Sequence, residues 1–291
     1  MNSSYGERIP DYLVVGHIAK DLTPEGPCPG GTVLYSGLTA QHLGMQAAVV
    51  TRCASRDRWL LDELEDSSVW VAAKGSPRTT TFTNRYDSEG KREQLLGGRA
   101  EMITLADVPP AWRGAPIVHL GPIAQELPAD MPTQFTDCNL GITPQGWLRS
   151  WDAQGRVSHN AWSIPSSLAR LPRRTIVVVS QEDLDFNVEL IRDYARSVPC
   201  LVVTNGSAPA SIFIAGMEVE VPAYPVQAID PTGAGDVFAA ALFAHYAETQ
   251  NLETAVKFAH AAASLSITAP ATTAIPSRAS VHSLLSTPTN H

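Results

Sequence analysis

DPTGAGDVFAAALFAHYAETQ (residues 230–250) sets a glycine-rich turn directly before a long alanine-rich run. Pro231 ends whatever precedes it, and Gly233 and Gly235 remove the Cβ atoms that would keep a ligand off the backbone. The N–H groups of Gly233, Ala234 and Gly235 are therefore expected to point out of a helix N-terminus, where the helix dipole favours an anion. Asp236 falls in the first turn of that helix. A carboxylate there is a poor ligand for an anion but a good base for a nucleophile attacking one, which is what phosphoryl transfer needs. The plainer account is that Asp230 or Asp236 only caps the helix.

Upstream, short apolar and β-branched runs recur: YLVVGHI (12–18), AAVVTRCA (47–54), SVWVAA (68–73), PIVHLGPI (116–123), TIVVVS (175–180) and CLVVTNG (200–206). Most are too continuous for half-exposed strands and suit a parallel sheet covered on both faces. Helical patterns lie between them. RDRWLLDELED (56–66) is expected to place Trp59, Leu60 and Leu64 on one face, and NVELIRDYARSV (187–198) does the same with Leu190, Ile191 and Tyr194. Strands alternating with helices imply an α/β fold with a doubly wound, mostly parallel central sheet. Two stretches break the rhythm: 79–96, around Ser88-Glu89-Gly90, and 210–224, around a glycine, both read as hairpins. The two runs at 233–250 and 252–268 are expected to be helices, and the end, STPTNH, to fray.

The chain has 291 residues, 44% hydrophobic and 17% charged, with a net charge of −8. No basic stripe supplies a duplex nucleic-acid surface, although a nucleotide can still be held by backbone N–H groups and a metal. No apolar stretch is long enough to span a bilayer, and no secretory leader stands at the N-terminus, so a cytoplasmic location is expected. Cys28, Cys53, Cys138 and Cys200 are scattered without ligand spacing, which argues for free thiols and against zinc.

Taken together, DPTGAGD (230–236) and the helix after it resemble the C-terminal signature of PfkB/ribokinase-family carbohydrate kinases, possessing further landmarks in order. Gly16 to Asp21 matches a Gly-x-x-x-x-Asp after the first strand, and Gly30, Gly31, Leu43 and Gly44 match a glycine pair and a helix closing on Leu-Gly. VVTNG (202–206) resembles the nucleotide-lining segment, through Thr204 and Gly206, and SQED (180–183) fits a Ser-x-x-Asp form of a metal-positioning motif. QGWLRSWD (145–152), after the short strand LGIT (140–143), resembles a segment of inositol-kinase-like members.

The resemblance implies a single ribokinase-like domain over 1–291 with a small hairpin lid near 79–96. It implies ATP as donor, Asp236 as base and the 233–235 backbone as anion hole, each donor worth ~3–4 kcal/mol. Thr204, Gly206, Thr232, Gly233 and Gly235 would hold the nucleotide; Asp183 and Ser180 would position Mg²⁺ through water, or serve only as a polar loop and helix cap. Asp230, with Thr232, matches a monovalent-cation (K⁺) position of some members. Asp21, placed at the carboxyl end of the first strand, would accept from two hydroxyls of a sugar or polyol beside Gly30 and Gly31. Gln145 and Arg149 are further acceptor-side candidates, with a solvated arginine the competing account of Arg149. The family's usual Asn five residues after the glycine pair is Tyr35, so acceptor recognition should differ from that of a ribokinase. The stretch from Asp21 to Gly30 looks too short to add lid strands, which leaves 79–96 as the lid, completed alone or by a second subunit in a homodimer. A nucleoside kinase and a non-catalytic binding protein on the same fold remain open, whereas VVGHIAKD lacks the GxGxxG of a dinucleotide-binding dehydrogenase.

Overall fold

The computed structural model describes residues 7–86, 92–159 and 171–287. Its first half runs β1 (Tyr12–Val15), β2 (Ala19–Thr23), β3 (Gly26–Gly30), α1 (Thr32–His42), β4 (Ala47–Cys53), α2 (Asp62–Asp66), β5 (Trp70–Gly75), β6 (Thr80–Tyr86), β7 (Arg92–Gly98), β8 (Ile117–Leu120) and β9 (Asn139–Ile142). There follow α3 (Gln145–Leu148), β10 (Arg149–Trp151), β11 (Val157–His159), β12 (Ile176–Ser180), α4 (Val188–Ser197), β13 (Cys200–Asn205), β14 (Ala208–Ile214), β15 (Met217–Val221), α5 (Ala234–Thr249), α6 (Leu252–Ser266) and α7 (Arg278–Ser286).

Nine strands form one sheet in the order β15-β14-β13-β12-β9-β8-β1-β4-β5. From β13 to β5 the pairing is parallel; β14 and β15 form the antiparallel edge hairpin expected around Gly216. Side-chain alternation divides each central strand between two covers. Tyr12, Val14, Val49 and Val202 pack with α1, α5 and α6, while Leu13, Val15, Val50 and Val118 pack with Trp112 and α4 on the other face. That is why the strands read as continuous apolar runs. The first helical pattern departs from expectation: residues 55–61 wind as a tighter 3₁₀ segment before α2, which buries Leu60, Leu61 and Leu64 and leaves Trp59 40% exposed.

The chain leaves β1 toward β4 and β5, then returns on the other side through β8. The crevice at the carboxyl ends of β1 and β8 is therefore the topological switch point, where open α/β sheets bind ligands. The backbones there are in contact: a Cβ on Gly16 would overlap the carbonyl of Gly121. Below the crevice, the Tyr12 hydroxyl reaches His119 Nδ1 at 3.1 Å, and His119 Nε2 reaches Thr143 Oγ1 at 2.9 Å.

A second sheet, ordered β3-β2-β6-β7, stands over this crevice and corrects the expected lid. Residues 21–30 do carry lid strands, because Pro24 and Glu25 make a two-residue turn between Thr23 and Gly26 and so waste no chain. The hairpin of 79–96 supplies the other two strands, and its tip at Ser88-Glu89-Gly90 lies outside the described residues, as do 288–291 of the expected frayed end. Asp21 consequently sits in the middle of β2 rather than at the end of the first strand.

The lid is fastened at its base. Lys20 Nζ lies 2.8 Å from Asp57, which also accepts from Thr79 Oγ1 at 2.6 Å. Burial alone would raise the Asp57 carboxyl, but the Lys20 and Thr79 hydrogen bonds hold it below its ordinary value. Close approach also fixes the loop after β9. A Cβ on Gly146 would come within 2.5 Å of Ile123 N and Pro122 C, both backbone atoms that cannot swing aside. Gly146→Ala is therefore expected to cost about 1–3 kcal/mol in chemical denaturation, measured as a lower midpoint with an unchanged slope.

Candidate active site

Two helix N-termini converge at the crevice. The glycine before α1, Gly31, has φ 90°, and the one before α5, Gly233, has φ 76°; neither end receives a side-chain cap. Uncapped first-turn N–H groups concentrate positive potential where two helices meet. Gly233 is required here twice over, by its left-handed backbone and because a Cβ would lie inside the ring of Tyr35. The N–H groups of Gly233 and Gly235 make no hydrogen bond among the described residues, whereas that of Ala234 donates to the Pro231 carbonyl at 3.2 Å. The expected cradle of three donors is thus two donors and a closed turn.

Asp236 occupies the first turn of α5, with Ser36 Oγ donating to its carbonyl at 3.1 Å and Thr32 hydrogen-bonded to its carboxylate. Burial pushes this carboxyl up to about 6; Asp183 adds to the rise, while Thr32 and the Arg149 charge hold it back. A helix cap would instead be a stabilised, low-lying carboxylate. Asp236 is not serving as one, since the residue before the helix is Gly233.

Asp183 Oδ2 accepts from Ser180 Oγ at 2.7 Å and from Ser180 N at 3.2 Å, and its Oδ1 lies 3.4 Å from Gln145 Nε2. The SQED segment does not cap the helix at 188–197; Asn187 does, accepting from Leu190 N at 3.1 Å. Gln145 and Asp183 thus belong to one cluster with Asp236. Arg149 is not the solvated arginine of the competing account. It is 7% exposed, donates from Nη1 to the Ile123 carbonyl at 3.1 Å, and lies 5.3 Å over the ring of Phe82.

Acceptor-side residues are arranged by the lid. Asp21 registers with Cys28 on β3 and with Phe82 on β6, so the three share a face of the small sheet. The space that Gly30 leaves is filled by the Asp21 carboxylate, and Gly31 packs against the His17 carbonyl. A Cβ at either glycine would thus meet protein groups. Tyr35 is buried, and burial first, then the charges of Asp236, Asp21 and Asp230, push its phenol above the ordinary value. Its hydroxyl keeps its proton and can only donate to an anion.

Thr204 is the last residue but one of β13, and Gly206 follows the strand in an exposed turn. Asp230 Oδ1 accepts from Thr232 N at 2.9 Å and Oδ2 from Ala271 N at 2.8 Å. Burial alone would raise its carboxyl, but these hydrogen bonds hold it below the usual range. These two hydrogen bonds staple two loops together. Among the described residues no group of three or more His, Cys, Asp or Glu could enclose a metal.

Several participants had no sequence signal. Glu126 is fully buried and accepts from His17 N at 2.9 Å, Ile123 N at 2.9 Å and Ala124 N at 2.7 Å. Phe82 and Cys28 belong to strands whose register the sequence did not give. Thr32, directly after Gly31, could have been flagged as an uncapped first-turn residue.

The fold and the site define a ribokinase-like α/β protein. Residues 174–278 match the pfkB family carbohydrate kinase profile. Fructokinase-1 of Oryza sativa subsp. japonica is 33% identical over 308 residues, covering 94% of this chain and 93% of that one. Among solved structures, a pyrophosphate-dependent kinase in the ribokinase family, complexed with a pyrophosphate analog and myo-inositol, superposes with a TM-score of 0.76 at 23% identity, over 93% of this chain and 99% of the other. Arabidopsis thaliana ribokinase, complexed with ribose and ATP, gives 0.73 at 21%, over 96% and 100%. The chain belongs to the PfkB family of carbohydrate kinases. No described helix is long and apolar enough to cross a membrane.

The raised Asp236 carboxyl makes a prediction that needs no substrate. A group whose folded pKa lies above its unfolded value stabilises below the unfolded value and loses that contribution as pH rises through the folded one. Asp236→Asn should therefore gain on the parent as pH rises from about 4 to about 6. The gain should level off at about 2–4 °C in Tm once solvent screening is allowed for. Equal Tm differences at pH 4.5 and pH 7.5 would show that the carboxyl is not perturbed.

Proposed function

We propose that this protein transfers the γ-phosphoryl group of ATP to a hydroxyl of a small sugar or polyol, with Asp236 as the base. The observation that carries this reading is a carboxyl pushed up to about 6 at the meeting point of two uncapped helix N-termini. A pKa just below neutral suits a group that must take a proton in the transition state and give it up afterwards. The N–H groups of Gly233 and Gly235 would receive the charge that develops on the transferring phosphoryl.

The whole chain is read as one kinase domain whose lid comprises β2, β3, β6 and β7. Asp21 would accept from acceptor hydroxyls, and Tyr35 would donate toward the phosphate oxygens. Gln145 and Arg149 would form the floor on the β9 side. Thr204, Gly206 and Thr232 would line the nucleotide. The like charges of Asp183 and Asp236 would favour a cation at this site, and Mg²⁺ is commonly bound through one or two carboxylates plus substrate oxygens. Asp183, with Ser180 behind it, would hold the ion, which when bound screens the phosphate charge. Rice fructokinase-1 and the myo-inositol complex support a polyhydroxy acceptor, with the inositol-like class slightly favoured by QGWLRSWD and Tyr35.

ADP release should be measured with ATP and Mg²⁺ against fructose, ribose, myo-inositol and a nucleoside, with pyrophosphate run as a parallel donor. One polyhydroxy alcohol is expected to give turnover, and Asp236→Asn to lower kcat by about 10²–10⁴-fold. ATP binding by calorimetry without turnover on any acceptor would favour the non-catalytic binding protein.

A further inference from the structure

A chain of buried hydrogen bonds rises from the core to the crevice, and its protons can be placed one by one. The Tyr12 hydroxyl lies 3.1 Å from His119 Nδ1, and His119 Nε2 lies 2.9 Å from Thr143 Oγ1. Burial keeps this imidazole neutral, pushing its pKa down to about 3, so one ring nitrogen carries a proton and the other accepts. Burial also holds the proton on the Tyr12 phenol. Tyr12 is fully buried, and among the described residues Nδ1 is the acceptor its hydroxyl reaches. The phenol must therefore donate to Nδ1, because the opposite tautomer would bury an unpaired O–H. That leaves the ring proton on Nε2, donated to Thr143 Oγ1. The Thr143 hydroxyl accepts from below and keeps one proton to give, which no group takes among the described residues.

Register places that spare proton under the base. His119 pairs with Gly141, so the side chains of His119 and Thr143 stand on one face of the sheet. Helix α5 covers that face: Phe243 packs on the His119 ring at 4.9 Å between centroids and occupies the space that Gly141 leaves. Asp236 precedes Phe243 by nearly two turns and so lies on the same stripe of α5. Measured from the Phe243 level, the helical rise puts Asp236 about 10 Å up α5. Strand geometry puts Thr143, two residues beyond Gly141, about 7 Å up. The levels differ by about 3 Å, the length of one hydrogen bond. One neighbour touches both groups: a Cβ on Gly121 would be 3.3 Å from Thr143 Oγ1 and would overlap Thr32 Cγ2, and Thr32 is hydrogen-bonded to Asp236.

We propose that Thr143 is a second catalytic residue, whose hydroxyl, fixed as a donor by the Tyr12–His119 pair, hydrogen-bonds the acceptor oxygen that Asp236 deprotonates. The inference rests on the reading of Asp236 as the base. A substrate hydroxyl has one proton and two lone pairs. Its proton goes to Asp236, one lone pair takes the Thr143 hydrogen bond, and the other is left facing the γ-phosphorus. As the new O–P bond forms, the bond to the β-phosphate oxygen breaks and ADP leaves; the Thr143 proton stays on Thr143. The relay below therefore moves no proton. It fixes which way the Thr143 hydroxyl points, so that the attacking oxygen meets a donor and never a competing acceptor.

The tautomer can be read in the parent protein without a substrate. Assigned ¹⁵N spectra of the histidine rings should show His119 protonated at Nε2 and bare at Nδ1; a proton on Nδ1, or an even mixture, would overturn the proposal. That measurement stands even if a Thr143 variant fails to fold. Kinetics then separate the hydroxyl from the shape of the side chain. With whichever of fructose, ribose or myo-inositol turns over, Thr143→Val should lower acceptor kcat/KM about tenfold while the KM for ATP stays put. Thr143→Ser, which keeps the hydroxyl and loses the methyl, should recover most of that loss. A packing role gives the reverse order, with valine mild and serine harmful, and that order would refute the assignment. A rise in the KM for ATP alone would refute it too, by placing the hydroxyl on the phosphoryl donor. Full turnover by Asp236→Asn would defeat the base reading itself, whereas an inactive Asp236→Asn beside an unimpaired Thr143→Val would overturn this proposal alone.

Discussion

Glu126 is the constraint on which the crevice depends. Its carboxylate is fully buried and takes N–H groups from His17, Ile123 and Ala124. A charge removed from water must be repaid by hydrogen bonds, and backbone donors from two strand exits do so only in one relative position. The loop after β1 is thereby bound to the loop after β8, at the point where the strand order reverses. From the first loop the chain proceeds into lid strand β2; from the second it reaches Ile123, which supports Arg149. The lid base and the floor of the site are located by the same carboxylate.

This arrangement leaves Asp236 as the deliberate exception to good burial. Glu126 has its donors, and Asp57 and Asp107 have Lys20, Arg52 and Lys74 within 2.9 Å. Asp236 has the Thr32 hydroxyl and the Arg149 charge, and burial pushes its carboxyl up. Polar groups that the fold satisfies hold shape, while a carboxyl raised by burial is the kind of group that functional sites use. The stability lost there is supplied by the apolar covers on both faces of the nine-stranded sheet.

How much of this was legible beforehand follows from what each signal depends on. The central strands and the helices 234–249 and 252–266 were visible because their apolar pattern is local and strong. The turn at 230–236 was visible because glycine and proline carry backbone meaning by themselves. The lid was half visible: β6 and β7 announced themselves by threonine-rich alternation, but β2 and β3 are short, and GPCPG carries two prolines that speak against a strand. The burial of Arg149 was hidden for a different reason. Exposure is a property of the tertiary neighbours, and neither Phe82 nor Ile123 lies near it in sequence. Glu126 was invisible because its donors are main-chain groups, which every sequence possesses.

The two prolines of β3 have an effect beyond shaping that strand. β3 is an outer strand of the lid sheet, and Pro27 and Pro29 have no N–H to offer. Its ladder with β2 must run through Gly26, Cys28 and Gly30, which places the imino positions along the outward rim. An extended segment from another molecule finds no row of donors there, so this margin of the leaf is closed to strand addition. The outer rim of β3 offers carbonyl acceptors without matching donors, and two rings thereby disfavour growth of the sheet along this edge and keep it a poor template for aggregation.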